Sequence, residues 1–169
     1  MGLQVCGMGV LAAISVGGSA LAQAPAPKDK SPAAVAAWIK AQLDPGPFTL
    51  LETDDKGALF YVLDDDAPAD ARVRAWLRHE YFTDQPASQG AYRSDNLLTE
   101  MDCEKRAMRL LAVDWFPQLN LKGEPRRYDD QDPRWVYDRQ ADPATGKLFA
   151  DACAAKQAKL AGPARTPFR

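Results

Sequence analysis

Between residues 71 and 82, Arg72, Arg74, Trp76 and Arg78 alternate with Val73, Ala75, Leu77 and His79. Successive side chains of an extended strand point to opposite faces, so this spacing sets three guanidinium groups and one indole in a single row. Planar guanidinium forks pair bidentately with carboxylates and sulfates, which makes Arg72, Arg74, Trp76 and Arg78 the candidate partner-binding surface, for an acidic protein or an acidic polysaccharide. The same pattern also has an internal use, as a sheet face neutralised by cross-strand acids or covered by a helix.

Covalent chemistry finds less support. His79 is the only histidine, which excludes a histidine metal cluster, and Ser94 with His79 and an aspartate is the sole serine, histidine and acid combination. No G-x-S-x-G turn presents a nucleophile. The acidic runs at residues 64–66 and 129–132 lack the D-x-D-x-D-G spacing and closing Glu of a calcium loop, so they read as solvated turns. No catalytic residue, cofactor or metal is expected, and His79 reads as a strand histidine packed under a helix. The competing class, a small exported enzyme, has no matched acid, base and nucleophile.

The cysteines do carry a prediction. Residues 5–22 form an uncharged apolar run ending in Ala20-Leu21-Ala22, the small-x-small pattern of a cleavable signal peptide. Cleavage after Ala22 is favoured over Ala24, because Pro25 would follow the second cut. Cys6 leaves with that segment, and Cys103 and Cys153 remain as one pair in an oxidising compartment. Nor is Cys6 a lipid-attachment cysteine, since the apolar run follows it instead of preceding it. The mature chain is expected to be periplasmic or secreted, without stable membrane insertion. Its 21 basic and 23 acidic residues give no global attraction to nucleic acid.

The elements that position these residues are legible from periodicity. Tyr92 to Phe116 reads as a hairpin turning at residues 103–106, with Met101 facing Met108, Glu100 facing Arg109, Thr99 facing Leu110, Leu98 facing Leu111 and Leu97 facing Ala112. Strands are predicted at residues 48–53 and 58–63 around a Gly-containing polar turn, and a long strand from residue 71. A low-complexity leader, residues 23–32, precedes an amphipathic helix over residues 32–43, capped by Ser31 with Pro32 at the first position. An edge strand over residues 123–128 and a segment at residues 135–137 packing back onto the sheet follow. A helix from Pro143 then presents Leu148, Phe149, Ala152 and Cys153 on one face. A structural Cys103 to Cys153 bridge would pin it to the hairpin, stabilising the fold by about 4 kcal/mol in the chain-entropy model. The fold class is α+β: an antiparallel sheet of about five or six strands with an N-terminal helix and a C-terminal helix disulfide-linked to the sheet. The expected layout is signal peptide 1–22, leader 23–32, domain 33–160 and tail 161–169.

Tyr61-Val62, Val73-Arg74-Ala75-Trp76-Leu77 with Tyr81, Tyr92-Arg93-Ser94, Glu100-Met101-Asp102-Cys103 with Arg106, Arg109 and Leu110, and Phe149 to Cys153 together resemble the bacterial surface-adhesin protein E family. The resemblance spans roughly residues 48–153. It implies an antiparallel sheet with helices, a sheet-to-helix disulfide and a non-enzymatic envelope role. For the member that gives the family its name it implies a lipoprotein that binds host extracellular-matrix and serum proteins and can dimerise. The present chain has no lipoprotein cysteine and carries Asp64-Asp65-Asp66 where a single Asp is usual.

Overall fold

The computed structural model describes residues 25–64, 72–88, 90–137 and 143–161. The expected signal segment, Asp65 and Asp66 of the acidic run, and the tail beyond residue 161 lie outside the described residues.

Helix α1 (Pro32–Gln42) starts where the Ser31 hydroxyl accepts the Ala34 N–H at 3.3 Å, with Pro32 in the first turn where a missing N–H costs nothing. Six strands then follow in order: β1 (Thr49–Thr53), β2 (Gly57–Leu63), β3 (Arg72–Gln85), β4 (Tyr92–Asp102), β5 (Ala107–Phe116) and β6 (Arg126–Asp129). Each pairs antiparallel with its neighbour in the chain. The two-residue β7 (Val136–Tyr137) pairs with Ala107 and Met108, beside β6 on the outer side of β5. Helix α2 (Pro143–Ala161) closes the fold, which is the expected α+β architecture. The edge strand begins at Arg126, just after Pro125, so the proline takes no ladder position. Gly57 is required by close packing: a Cβ there would meet the Glu80 carbonyl oxygen at 2.1 Å.

The hairpin register holds from the turn outward for Met101 with Met108, Glu100 with Arg109 and Thr99 with Leu110. It then departs from the predicted pairing. Leu98 faces Ala112 and Leu97 faces Val113, because a bulge at Leu98/Thr99 inserts Leu111. The extra residue moves Ala112 off the face shared by Leu97 and puts the buried Val113 there.

The two helices lie on opposite faces of the sheet. Ala144, Leu148, Phe149 and Ala152 of α2 pack on Val73, Ala75, Leu77 and Met101, and the Cys103–Cys153 disulfide fastens that helix to the hairpin turn. Val35 and Trp38 of α1 instead pack on Phe82 and Leu119, with the Trp38 and Phe82 rings edge-on at 4.9 Å. Val73, Ala75 and Leu77 are odd-numbered and Phe82 is even, so strand alternation alone separates the two packings. Along β3 the buried positions accordingly run odd up to Leu77 and even from Arg78. The Trp38 indole donates to the Pro25 carbonyl at 2.9 Å, which ties the leader to α1 at that point.

Candidate binding face

The even face of β3 has an open end and a covered end, and the arginine row crosses both. At the open end the organising group is Glu100 on β4, opposite Arg74 in register and wholly buried. Arg74 donates from Nε to Glu100 Oε1 at 3.2 Å, Arg109 from Nε to Oε2 at 2.9 Å, and Arg72 from Nη1 to Oε2 at 3.5 Å. A buried carboxylate needs such partners, since an unpaired one carries a desolvation cost of several kcal/mol. The converse is not symmetrical. Arg74 and Arg109 alone bring two cations to one carboxylate, and their side chains remain 35% and 23% exposed. Two aromatic rings flank them. Trp76 is half-buried beside Leu98, and the Arg109 guanidinium lies 4.6 Å from the centre of the Trp135 ring. Cross-strand pairing with Glu100 was the sequence signal for Arg109, whereas Trp135 was expected only to pack back onto the sheet with residues 136 and 137, and its place against Arg109 comes with the β7 pairing.

The covered end uses the same residue types for a different purpose. Arg78, four residues further along the row, is buried where the chain leaves α1 and donates from Nε to Glu80 at 2.6 Å. Its Nη1 donates to the Asp44 carbonyl and its Nη2 to Asn120 Oδ1. Asn120 donates its backbone N–H to the Glu80 carboxylate at 2.9 Å and its side-chain amide to the Gln42 carbonyl at 2.8 Å. Both Asn120 and Leu121 take left-handed backbone, φ 63° and 54°, and this network holds them there. Burial pushes the Glu80 carboxyl up from its ordinary range, against the pull of Arg78 and the Asn120 N–H. The cluster thus joins the end of α1, the 119–121 turn and the sheet, and Arg78 faces inward as its centre.

On the odd face, His79 and Asp95 are cross-strand partners, and Nδ1 lies 2.6 Å from Asp95 Oδ1. The Tyr81 hydroxyl donates to Asp95 Oδ2 at 2.9 Å, and burial, followed by the nearby Asp95 charge, raises the Tyr81 pKa. A small cavity opens beside Gly57, Leu59, His79 and Tyr81. Ser94 neighbours Asp95 and therefore points to the even face, where its hydroxyl donates to the Gln118 carbonyl at 2.6 Å. The serine, histidine and acid combination is not assembled.

The residues behind the family resemblance acquire distinct structural jobs. Residues 81–84 of β3 bulge opposite Arg93, which donates from Nε to the Tyr81 carbonyl and from Nη2 to the Phe82 carbonyl at 3.1 and 2.9 Å. Asp102 accepts the Glu104 and Lys105 N–H groups in the hairpin turn, and those bonds, Lys105 foremost, hold its carboxyl below the ordinary range. Among the described residues no group of three or more His, Cys, Asp or Glu could hold a metal, and no helix is long and apolar enough to cross a membrane.

No curated protein sequence matches the chain. Among solved structures, the crystal structure of protein E from non-typeable Haemophilus influenzae is similar at 13% identity and a TM-score of 0.43, over 68% of this chain and 94% of that one. The family model described as surface-adhesin protein E matches residues 48–154, from just after α1 into α2, and the chain belongs to that family.

Proposed function

We propose that this chain is an exported, non-enzymatic, adhesin-type protein of the bacterial envelope that binds an acidic macromolecular partner at the open end of the even face. The observation that carries the proposal is the gathering of Arg72, Arg74 and Arg109 around the buried Glu100, with Arg74 and Arg109 still partly exposed. Membership in a surface-adhesin family supports the adhesive class. Arg72, Arg74 and Trp76 form the sequence-defined part of the surface, Arg109 completes it, and Arg78, buried beside Glu80, stands outside it. Export by residues 1–22, a leader at 23–32, a folded domain at 33–160, a tail at 161–169 and release to the periplasm or cell exterior belong to the same reading, as does self-association as a homodimer. Fractionation with N-terminal sequencing tests export: a soluble mature chain beginning near Gln23 supports it, and an intact Met1 terminus in the membrane fraction overturns it.

Binding is tested with purified chain against immobilised polyanions at rising ionic strength. Charge-driven contact should weaken as salt shortens the screening length from about 10 Å at 0.1 M. Arg74→Glu should weaken it more than Lys40→Glu, a matched change on exposed α1 surface. Equal binding by both variants removes the open end from the proposal.

A further inference from the structure

Resting on the reading that the open end holds an acidic partner, we infer that this partner is a sulfated or carboxylated polysaccharide chain and not an acidic polypeptide. The first reason is the place of the cluster in the sheet. Arg74, Glu100 and Arg109 stand on β3, β4 and β5, of which β3 and β4 are paired along both sides and β5 carries β4 on one side and β6 and β7 on the other. An extended peptide gains affinity by adding main-chain hydrogen bonds to a sheet edge, and this part of the face offers no such edge. Affinity here must come from side chains alone.

The second reason is how the cations are held and spaced. Glu100 takes Arg74 through Nε, leaving the Nη nitrogens outside that bond, and takes Arg109 through Nε and Nη2. One buried carboxylate thereby fixes the guanidinium planes and reduces the ordering cost of binding. The backbone positions of Arg72 and Arg74 lie about 7 Å apart along the strand and those of Arg74 and Arg109 about 10 Å apart across two strand spacings, and from these positions the guanidinium groups converge on the one Glu100 carboxylate. Three cations over one carboxylate leave a compact patch of net positive charge for the anionic groups of such a polysaccharide chain. The third reason is the pair of indoles. The Arg109 guanidinium lies over the Trp135 ring and Trp76 follows Arg74 in the row, so indoles stand beside the cations, where the C–H faces of a charged sugar chain can pack. The cavity beside Gly57 and His79 is elsewhere, which leaves this surface open to a chain laid across it.

The test uses the full mature chain and three probes: heparin fragments of defined length, poly-L-glutamate of matched charge, and neutral dextran. Heparin fragments should bind at low salt at least about tenfold more tightly than poly-glutamate, with no binding to dextran. The double variant Arg74→Gln/Arg109→Gln leaves the buried Glu100 with Arg72 alone, so its thermal midpoint should fall, and its folded fraction should lose at least about tenfold in heparin affinity; Trp135→Leu should lose several-fold with a midpoint near that of the parent. Poly-glutamate binding as tightly as heparin overturns the inference and leaves the acidic-partner reading standing. Failure of both polyanions to bind at low salt overturns both. Undiminished heparin binding by the folded double variant removes this face as the site.

Discussion

Glu80 and Glu100 are both completely buried, both lie on strands of one sheet, both point to the same face and both pair with arginine. One is a sealed structural joint and the other the base of an exposed cationic surface. The difference is set by what covers the face. Around Glu80 the segment that leaves α1 and the 119–121 turn close the face: Arg78 spends its remaining donors on the Asp44 carbonyl and Asn120, and these partners are internal. Over Glu100, Arg74 and Arg109 are the cover, and they retain contact with solvent. The burial phase of β3 reverses between Leu77 and Arg78 for the same reason, because α2 packs the odd face of its first half and α1 the even face of its second. An arginine row read from strand alternation is therefore one row in sequence and two environments in space.

The sharpest way to break this comparison is Arg78→Met. It leaves Glu80 buried without its cation, and a broken buried pair costs about 3–5 kcal/mol. Chemical denaturation should show that loss; a change under 1 kcal/mol would mean that the covered end is no more structural than the open one. Removal of the disulfide by Cys103→Ser/Cys153→Ser should cost about 2–5 kcal/mol, by freeing α2 from the hairpin turn. Because α2 lies on the odd face, binding at the even face should survive in whatever fraction remains folded.

A smaller and pH-dependent effect sharpens the account of the hairpin. Asp102 has a folded pKa below its unfolded value, so its contribution is complete above the ordinary carboxylate range and is lost as pH falls through the lowered pKa. Asp102→Asn should therefore be destabilising near pH 7, and the gap to the parent should narrow as pH drops below about 4. A gap that stays constant over that range would remove the turn carboxylate as the cause. The smallest stability effect is expected of Arg74→Gln, within about 1 kcal/mol, as for other partly exposed ion pairs.

Much of the scaffold was legible because it rests on local rules. Ser31-Pro32 marked the start of α1, residues 103–106 the hairpin turn, and the late Leu148, Phe149, Ala152 and Cys153 face the docking of α2. The bulge at Leu98/Thr99 was hidden, since no glycine or proline signals it. The site was half legible. Alternation found Arg72, Arg74 and Trp76, and pairing found Glu100 with Arg109. A covered row was one of the two uses the pattern allowed, but alternation did not mark Arg78 as its covered member, because that depends on the chain at Asp44, 34 residues away in sequence. Residues 135–137 were expected against the sheet, but not the contact of Trp135 with Arg109, which follows from the short β7 pairing.

The most direct test of the division between the two ends is a paired measurement on Arg74→Gln/Arg109→Gln: heparin-fragment affinity at low salt, and thermal midpoint, on the same preparation. Charged hydrogen bonds of this kind contribute about 1.5–3 kcal/mol each, which corresponds to about tenfold or more in affinity. The account predicts an affinity loss of at least about tenfold in the folded variant, measured below a midpoint that is lowered because the buried Glu100 keeps Arg72 alone. Parental affinity in a normally folded double variant would contradict it.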